Sequence, residues 1–237
     1  MNIIVITPDQ EQRLRQLVTV FLQENAKINL SAFRTEENCW IGNVLDSLAF
    51  LELPSPPIPP PPPGKVGPRG VRVLDVGTGG GFPLLPLAIA LPHVRFTGID
   101  SVQKKIDAIA RIITTMQRIT NVDLLCGRVE ELARHDWENF DVVTARAVAE
   151  INVLLEYCIP FVKIGGKILL WKSLNIDAEL KESMKAQKEL HCEYKGNHVY
   201  ELPSDFGKRQ ILIFEKTGPT PKLYPRPVGV AKKKPLE

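Results

Sequence analysis

Val73-Leu-Asp-Val-Gly-Thr-Gly-Gly-Gly-Phe-Pro83, followed by Phe96-Thr-Gly-Ile-Asp100, is the stretch on which the reading of this chain turns. An apolar strand, residues 71 to 76, runs directly into Gly77, Gly79, Gly80 and Gly81. Glycine accepts positive φ and carries no Cβ, so a ligand can approach the main chain closely at such a turn. A second apolar strand ends in Asp100, 25 residues after Asp75. Doubly wound sheets place there the carboxylate that accepts both ribose hydroxyls. The pieces read as a strand, a glycine floor and a ribose acid, the parts of a nucleoside site.

The spacing separates the candidate ligands. A dinucleotide fingerprint needs its third glycine at position 82, which is Phe82. No Gly-Lys-Ser/Thr follows, so a P-loop is excluded. The observed Gly77-x-Gly79-x-Gly81 is similar to the tighter pattern of Rossmann-like (class I) methyltransferases that use S-adenosylmethionine (AdoMet). AdoMet has no pyrophosphate to seat on a helix N-terminus, so a bulky Phe82 can close the loop against a nucleoside or methionine moiety.

With 237 residues, 44% of them apolar, the chain can bury a full α/β core and a small extension. Cys39, Cys126, Cys158 and Cys192 lie far apart, with no Cys-x-x-Cys and no histidine at ligand spacing. Neither disulfides nor a metal site is expected, and a reducing cytoplasm suits such thiols. Cys126 and Cys158 are expected in the core. No apolar run reaches the ~18 residues of a membrane span, and no basic region precedes an apolar segment at the N-terminus. A monomeric cytoplasmic protein without membrane contact is expected. The net charge is +3, yet after Thr217 the chain carries Lys222, Arg226, Lys232, Lys233 and Lys234 against Glu237 alone. This end suits either a solvated tail or a phosphate-contacting arm.

Four regions follow along the chain. Residues 1–53 are expected to form a helical cap. Thr7-Pro8-Asp9-Gln10 is a helix start, and a second helix begins at Thr35 with Trp40, Ile41, Val44, Leu45, Leu48 and Leu51 on one stripe until Pro54 ends it. Residues 54–70 are a linker loop, with eight prolines among the ten residues from Pro54 to Pro63, which suits extended polyproline-like chain. Residues 71–216 alternate strands (71–76, 94–99, 122–126, 140–145, 165–172, 198–202, 209–215) with helices (83–91, 102–119, 128–134, 149–162, 176–190). That alternation predicts a seven-stranded, mostly parallel sheet covered on both faces, its last strand antiparallel. Residues 217–237 are the basic tail.

Ligands of such sheets bind beyond the carboxyl ends of the strands. After the glycine loop, the residues there are Asp100-Ser101-Val102, Gly127-Arg128-Val129-Glu130-Glu131, and Thr144-Ala145-Arg146-Ala147. Glu130 and Glu131 fit either a role at an adenine edge or ordinary first-turn acids of a helix. The fourth strand ends in a guanidinium. It has neither the Asn/Asp-Pro-Pro-aromatic motif that holds exocyclic amino groups nor the Pro-linked cysteine of 5-methylcytosine enzymes. An acceptor that is already nucleophilic, such as a ring nitrogen lone pair, needs no general base.

These residues resemble one family, the bacterial RsmG (GidB) methyltransferases, over most of the chain. The resemblance rests on Asn29-Leu-Ser-Ala-Phe-Arg34 and Leu45-Asp-Ser-Leu48 in the cap and on Leu74 to Pro83. It extends through Asp100-Ser101, Gly127 to Glu131, Ala145-Arg-Ala-Val-Ala149, Trp171-Lys172 and Tyr224-Pro-Arg226. It implies AdoMet-dependent methylation of a guanine N7 in 16S rRNA of the small ribosomal subunit. AdoMet would then be held by Gly77, Gly79, Phe82, Asp100, Ser101, Val102, Val129, Glu130 and Arg146. Arg146, Lys172, Asn29 and Arg34 would position RNA, with Arg146 on the cofactor carboxylate, guanine O6 or a phosphate; Lys172 also fits a snorkelling strand-end lysine. The chain departs from the family pattern at Asn43, where histidine is usual, and at Glu24, where tryptophan is usual. Two other functions remain open on sequence: a methyltransferase of small molecules or proteins, and a non-catalytic RNA-binding assembly protein.

Overall fold

The computed structural model describes residues 6–53, 70–133, 138–146 and 149–237. The Pro54 to Pro63 run, Ala147 and Val148 lie outside them. Seven strands form one sheet: β1 (Arg72–Val76), β2 (Arg95–Asp100), β3 (Val122–Cys126), β4 (Phe140–Arg146), β5 (Val162–Lys172), β6 (Cys192–Leu202) and β7 (Gly207–Lys216). Their order is β3-β2-β1-β4-β5-β7-β6, with β7 antiparallel to both neighbours. The chain leaves β1 in one direction toward β3 and resumes on its other side at β4. The topological switch point, where such sheets bind ligands, therefore lies between β1 and β4.

Alternate strand residues feed two cores. Val73 and Val142 face one layer with α1 (Pro8–Ile28), α4 (Leu84–Ala90) and α5 (Gln103–Met116), whereas Leu74, Val76, Val143 and Ala145 face α7 (Ile151–Cys158). Both faces of the central strands are apolar, which is why they read as continuous hydrophobic runs. The helix α1 begins with the capping box read from its sequence. The Thr7 amide donates to Gln10 Oε1 at 2.8 Å and the Gln10 amide to Thr7 Oγ1 at 3.2 Å. It ends at Asn29, which takes the left-handed conformation at φ 54°.

Several expected elements differ in detail. The second cap helix is not one regular helix. A single α-turn, α2 (Glu36–Cys39), widens into a π-helical segment (Trp40–Leu45), returns as α3 (Asp46–Leu48) and tightens to a 3-10 turn (Ala49–Glu52). The expected 176–190 helix is two, α8 (Asp177–Glu182) and α9 (Met184–Glu189), divided at Ser183, whose hydroxyl donates to the Leu180 carbonyl at 2.7 Å. The 128–134 helix is the short α6 (Val129–Leu132), and β5 and β6 start earlier than expected, at Val162 and Cys192. Cys126 is exposed at the end of the edge strand β3 rather than buried. Cys39, Cys158 and Cys192 are buried, and all four cysteines are free. Among the described residues no helix is long and apolar enough to cross a membrane, and no group of three or more His, Cys, Asp or Glu could hold a metal.

Candidate active site

The glycine turn takes the backbone that its sequence demands: Gly77, Gly79 and Gly81 have φ of 71°, 57° and 89°. The Thr78 amide donates to the Ile99 carbonyl at 2.9 Å, and Gly81 closes the turn onto Thr78 at 2.8 Å. Asp100 ties this turn to the second strand, for Oδ2 accepts from the Gly79 amide at 3.0 Å and Oδ1 from Val102 at 2.9 Å. Lys105 Nζ stands 3.7 Å from the same carboxylate. The cap presses on the turn from above. A Cβ at Gly80 would lie 3.0 Å from Phe21 and 3.2 Å from Leu30, and Phe82 meets the Phe21 ring edge-on at 4.8 Å between centroids.

This turn lines a cavity of about 630 Å³. Gly77, Gly79, Phe82, Asp100, Ser101, Val102, Val129, Glu130 and Arg146 all border it, so every cofactor residue named from sequence converges on one space. Tyr157 and four tail residues, Val228, Gly229, Lys232 and Lys233, line it too. Nothing in the sequence spacing located these. Asp75, two residues before Gly77, is buried between β1 and β4. Thr144 donates its hydroxyl to Oδ1 at 2.8 Å, while Oδ2 has no hydrogen-bond partner among the described residues. Burial pushes this carboxyl up to about 6.

A second cavity, of about 410 Å³, opens on the cap side of β4 and β5 and is bordered by Ser31, Phe33, Asn43, Trp171, Lys172 and Arg209. Arg146 lines both cavities. Its guanidinium is held by the irregular cap helix: Nη1 donates to Asp46 Oδ2 at 2.8 Å and to the Gly42 carbonyl at 3.2 Å, and Nη2 donates to Asn43 Oδ1 at 2.8 Å. Asp46 is fixed in turn. The Tyr200 hydroxyl donates to its Oδ1 at 2.6 Å, and the Trp171 indole N–H donates to its backbone carbonyl at 2.9 Å. Burial and the Asp46 charge push the Tyr200 phenol far up, so it stays a donor. Gly42 is required for close approach, since a Cβ there would fall 2.4 Å from the Phe33 ring. The π-helical segment brings the Gly42 carbonyl, Asn43 and Asp46 to one guanidinium, a use that fits the frequency of such bulges at functional sites.

Asn29 and Arg34 do not border either cavity. They are exposed and pair with each other, Arg34 Nη2 donating to Asn29 Oδ1 at 2.7 Å. The loop between them does reach both spaces, Leu30 lining the first cavity and Ser31 and Phe33 the second. Buried Asn25 shapes that loop by donating to the Ser31 and Phe33 carbonyls at 3.2 and 2.9 Å and accepting from the Ser31 amide at 2.8 Å. Lys172 borders the second cavity, but its ammonium donates to the Ala149 carbonyl at 2.8 Å and pairs with Glu179.

A family model described as GidB, rRNA small subunit methyltransferase G, matches residues 10–209 of this chain. The chain belongs to that family. Curated relatives called Ribosomal RNA small subunit methyltransferase G include one from Carboxydothermus hydrogenoformans, 34% identical over 98% of this chain and 94% of the relative. Another, from Desulfitobacterium hafniense, is 36% identical over 98% and 92%. Among solved structures, cofactor-bound Rv0187 from MTB aligns with a TM-score of 0.57 at 16% identity, covering 85% of this chain and 89% of that one. The antibiotic-resistance methyltransferase Kmr aligns at 0.52 and 16%, covering 63% and 88%. At such identities the structural likeness speaks for the fold, the methyltransferase α/β sheet.

Within the GidB family pattern, the chain's two departures have local compensation. Glu24 is buried and joins α1 to α5, accepting from Lys27 Nζ at 2.6 Å and from Arg111 Nε and Nη2 at 3.0 and 2.8 Å. Hydrogen bonds from Lys27 and then Arg111 hold its carboxyl below the ordinary range. Ion pairing stands where aromatic packing is usual. Asn43 both accepts from Arg146 and donates to Ser31 Oγ at 3.3 Å, two bonds that a neutral imidazole could also make.

Proposed function

We propose that this methyltransferase transfers the methyl group of AdoMet to N7 of a guanine in 16S rRNA of the small ribosomal subunit, with the 630 Å³ cavity taking the cofactor and the neighbouring 410 Å³ cavity the base. The meeting of the two spaces at one clamped side chain, Arg146, is the observation that carries this reading. The cavity fits the cofactor on its own terms. It has positive-φ glycines without Cβ where a ligand must approach the backbone. Its carboxylate, Asp100, retains acceptor capacity for two hydroxyls beyond its two amide donors.

AdoMet supplies an electrophilic methyl when bound; the chain supplies position. Gly77 and Gly79 form the floor, Phe82 closes it, Asp100 takes the ribose, and Ser101, Val102, Val129 and Glu130 border the adenine. Arg146 stands at the junction with its charge matched by Asp46, which lowers its repulsion toward a sulfonium and leaves Nε as a donor toward a base edge or phosphate. Asp46 is committed to Arg146 and Tyr200, so it is poorly placed to remove a proton. Guanine N7 has a lone pair and no proton to lose, and orientation alone can supply ~7–11 kcal/mol of such a barrier. Asn29 and Arg34, exposed on the cap, contact the RNA around the base, and Lys172, which borders the base cavity at the end of β5, reaches it by exchanging its Glu179 pairing for a phosphate. N7 is inaccessible in the deep groove of A-form duplex, so the target is an unstacked or loop guanine.

The test is transfer of tritiated methyl from AdoMet to small subunits and to naked rRNA from cells lacking the protein, followed by nucleoside mass spectrometry. A 7-methylguanosine signal that appears only with enzyme is the expected result. AdoMet binding without transfer to either RNA would overturn the proposed substrate in favour of a small molecule or protein.

A further inference from the structure

We propose that the C-terminal segment, residues 217–237, is a wall of the cofactor cavity, in which Val228 and Gly229 cover the adenine end and hold Glu130 for the adenine amino group. This rests on reading that cavity as the AdoMet site. The family model ends at residue 209, and the sequence marks this segment as basic and as carrying Tyr224-Pro-Arg226 of the resemblance, with no place in the site. Its packing is not that of a solvated arm. Tyr224, Ala231 and Leu236 are buried, and the Tyr224 hydroxyl bonds Glu189. Arg226 docks on Glu156, a carboxylate only 1% exposed. The Arg226 amide and Nε donate to Oε1, both at 3.0 Å, and Nε and Nη2 donate to Oε2 at 3.0 and 2.6 Å. A forked pair of this kind fixes orientation as well as distance. Nearer β7, the Thr220 amide donates to Glu138 Oε1 at 3.0 Å, and buried Lys216 reaches that carboxylate at 2.7 Å.

Between the Arg226 anchor and buried Leu236, Val228, Gly229, Lys232 and Lys233 line the cavity. The Gly229 amide donates to Glu130 Oε1 at 3.0 Å. That bond leaves Glu130 Oε2 as an acceptor held in place, the complement of an exocyclic amino group. Val228 is 46% exposed although it sits at the cavity; a flat ring beside it removes that apolar surface from water. Gly229 has φ +78° and nothing within 4 Å of where a Cβ would stand. Its glycine therefore serves the backbone turn that aims its amide, not a steric gap.

A chain ending at Pro227 keeps the Tyr224 and Arg226 anchors and removes the cover together with buried Ala231 and Leu236, so the point variants at Gly229 separate the cover from that packing. Titration of this chain with AdoMet and with adenosine, alongside circular dichroism at the titration temperature, tests the proposal. Both affinities are expected to fall by the same factor, about tenfold or more. Gly229→Pro, which loses the N–H and cannot hold positive φ, is expected to show the same loss. Gly229→Asn keeps the N–H, meets open space and tolerates the left-handed conformation, so it is expected to stay within about threefold of the parent. If the shortened chain and Gly229→Pro bind both ligands as the parent does while Gly77→Val binds neither, the wall is refuted and the cofactor reading stands. A loss confined to AdoMet, with adenosine unchanged, also overturns it. Failure of the full chain to bind AdoMet overturns both readings together.

Discussion

The two cavities that share Arg146 are built in opposite ways. The larger takes its floor from consecutive residues, Val76 to Phe82, and its acid from the end of the adjacent strand. The smaller is assembled from residues far apart in the chain: Ser31 and Asn43 in the cap, Arg146 on β4, Trp171 on β5 and Tyr200 on β6. A cofactor used by many enzymes can be met by a local motif, whereas a particular acceptor base needs a surface gathered from several elements. The comparison also divides the labour, with backbone conformation dominating in the first cavity and a side-chain network centred on Asp46 in the second.

Variants can break this division or sharpen it. Gly77 has φ 71°, so Gly77→Val adds backbone strain of about 1–3 kcal/mol and puts a branched side chain on the floor. Transfer is expected to fall by more than about 100-fold, measured as tritium incorporation, with the circular dichroism spectrum unchanged. Asp46→Asn strikes the other side. It removes the charge that holds Arg146 and leaves only the Gly42 and Asn43 bonds and a neutral acceptor, and a misplacement of about 1 Å costs roughly 100-fold in rate. Its stability cost is expected at about 1–3 kcal/mol by denaturant unfolding, below that of a dry ion pair because Arg146 borders two open cavities.

Asn43→His asks whether the network tolerates charge. Neutral imidazole can accept from Arg146, but imidazolium cannot and repels it, so the folded pKa should lie below the ordinary value of about 6.5. Transfer is expected near the parent level at pH 8 and to drop more steeply than that of the parent as the pH falls through about 6, the window in which the buried Asp75 carboxyl titrates in both proteins. Tyr200→Phe is the mildest change. It removes one donor from Asp46 and leaves Arg146 paired, with an expected cost of about 1–2 kcal/mol in stability and a few-fold loss of transfer.

The same contrast explains what the sequence disclosed. The sheet was legible because its central strands are apolar runs ended by glycine or a polar residue, whereas the edge strand β6, which alternates buried and exposed residues, was read only in part. The glycine floor and acid of the first cavity were legible because they follow strands in order. Arg146 was legible as a strand-end residue, but its partner was not: Asp46 lies 100 positions away. Helical spacing from Thr35 to Leu51 concealed the π-helical turn, since apolar stripes of period 3.6 and of slightly wider winding coincide over six residues. Composition marked the tail as basic, while the residues proposed to work at the cavity are Val228 and Gly229, anchored by the fork of Arg226 on buried Glu156. Lys172 was legible as a strand-end lysine, and it borders the second cavity, but its partners Glu179 and the Ala149 carbonyl were not.

The most direct test of the division between the cavities is to measure AdoMet affinity by calorimetry and single-turnover methyl transfer on the same preparation of Asp46→Asn. The account predicts AdoMet binding within about threefold of the parent and transfer reduced by roughly 100-fold. Loss of AdoMet affinity as large as the loss of transfer would contradict it, because Arg146 and its clamp would then belong to the cofactor cavity alone.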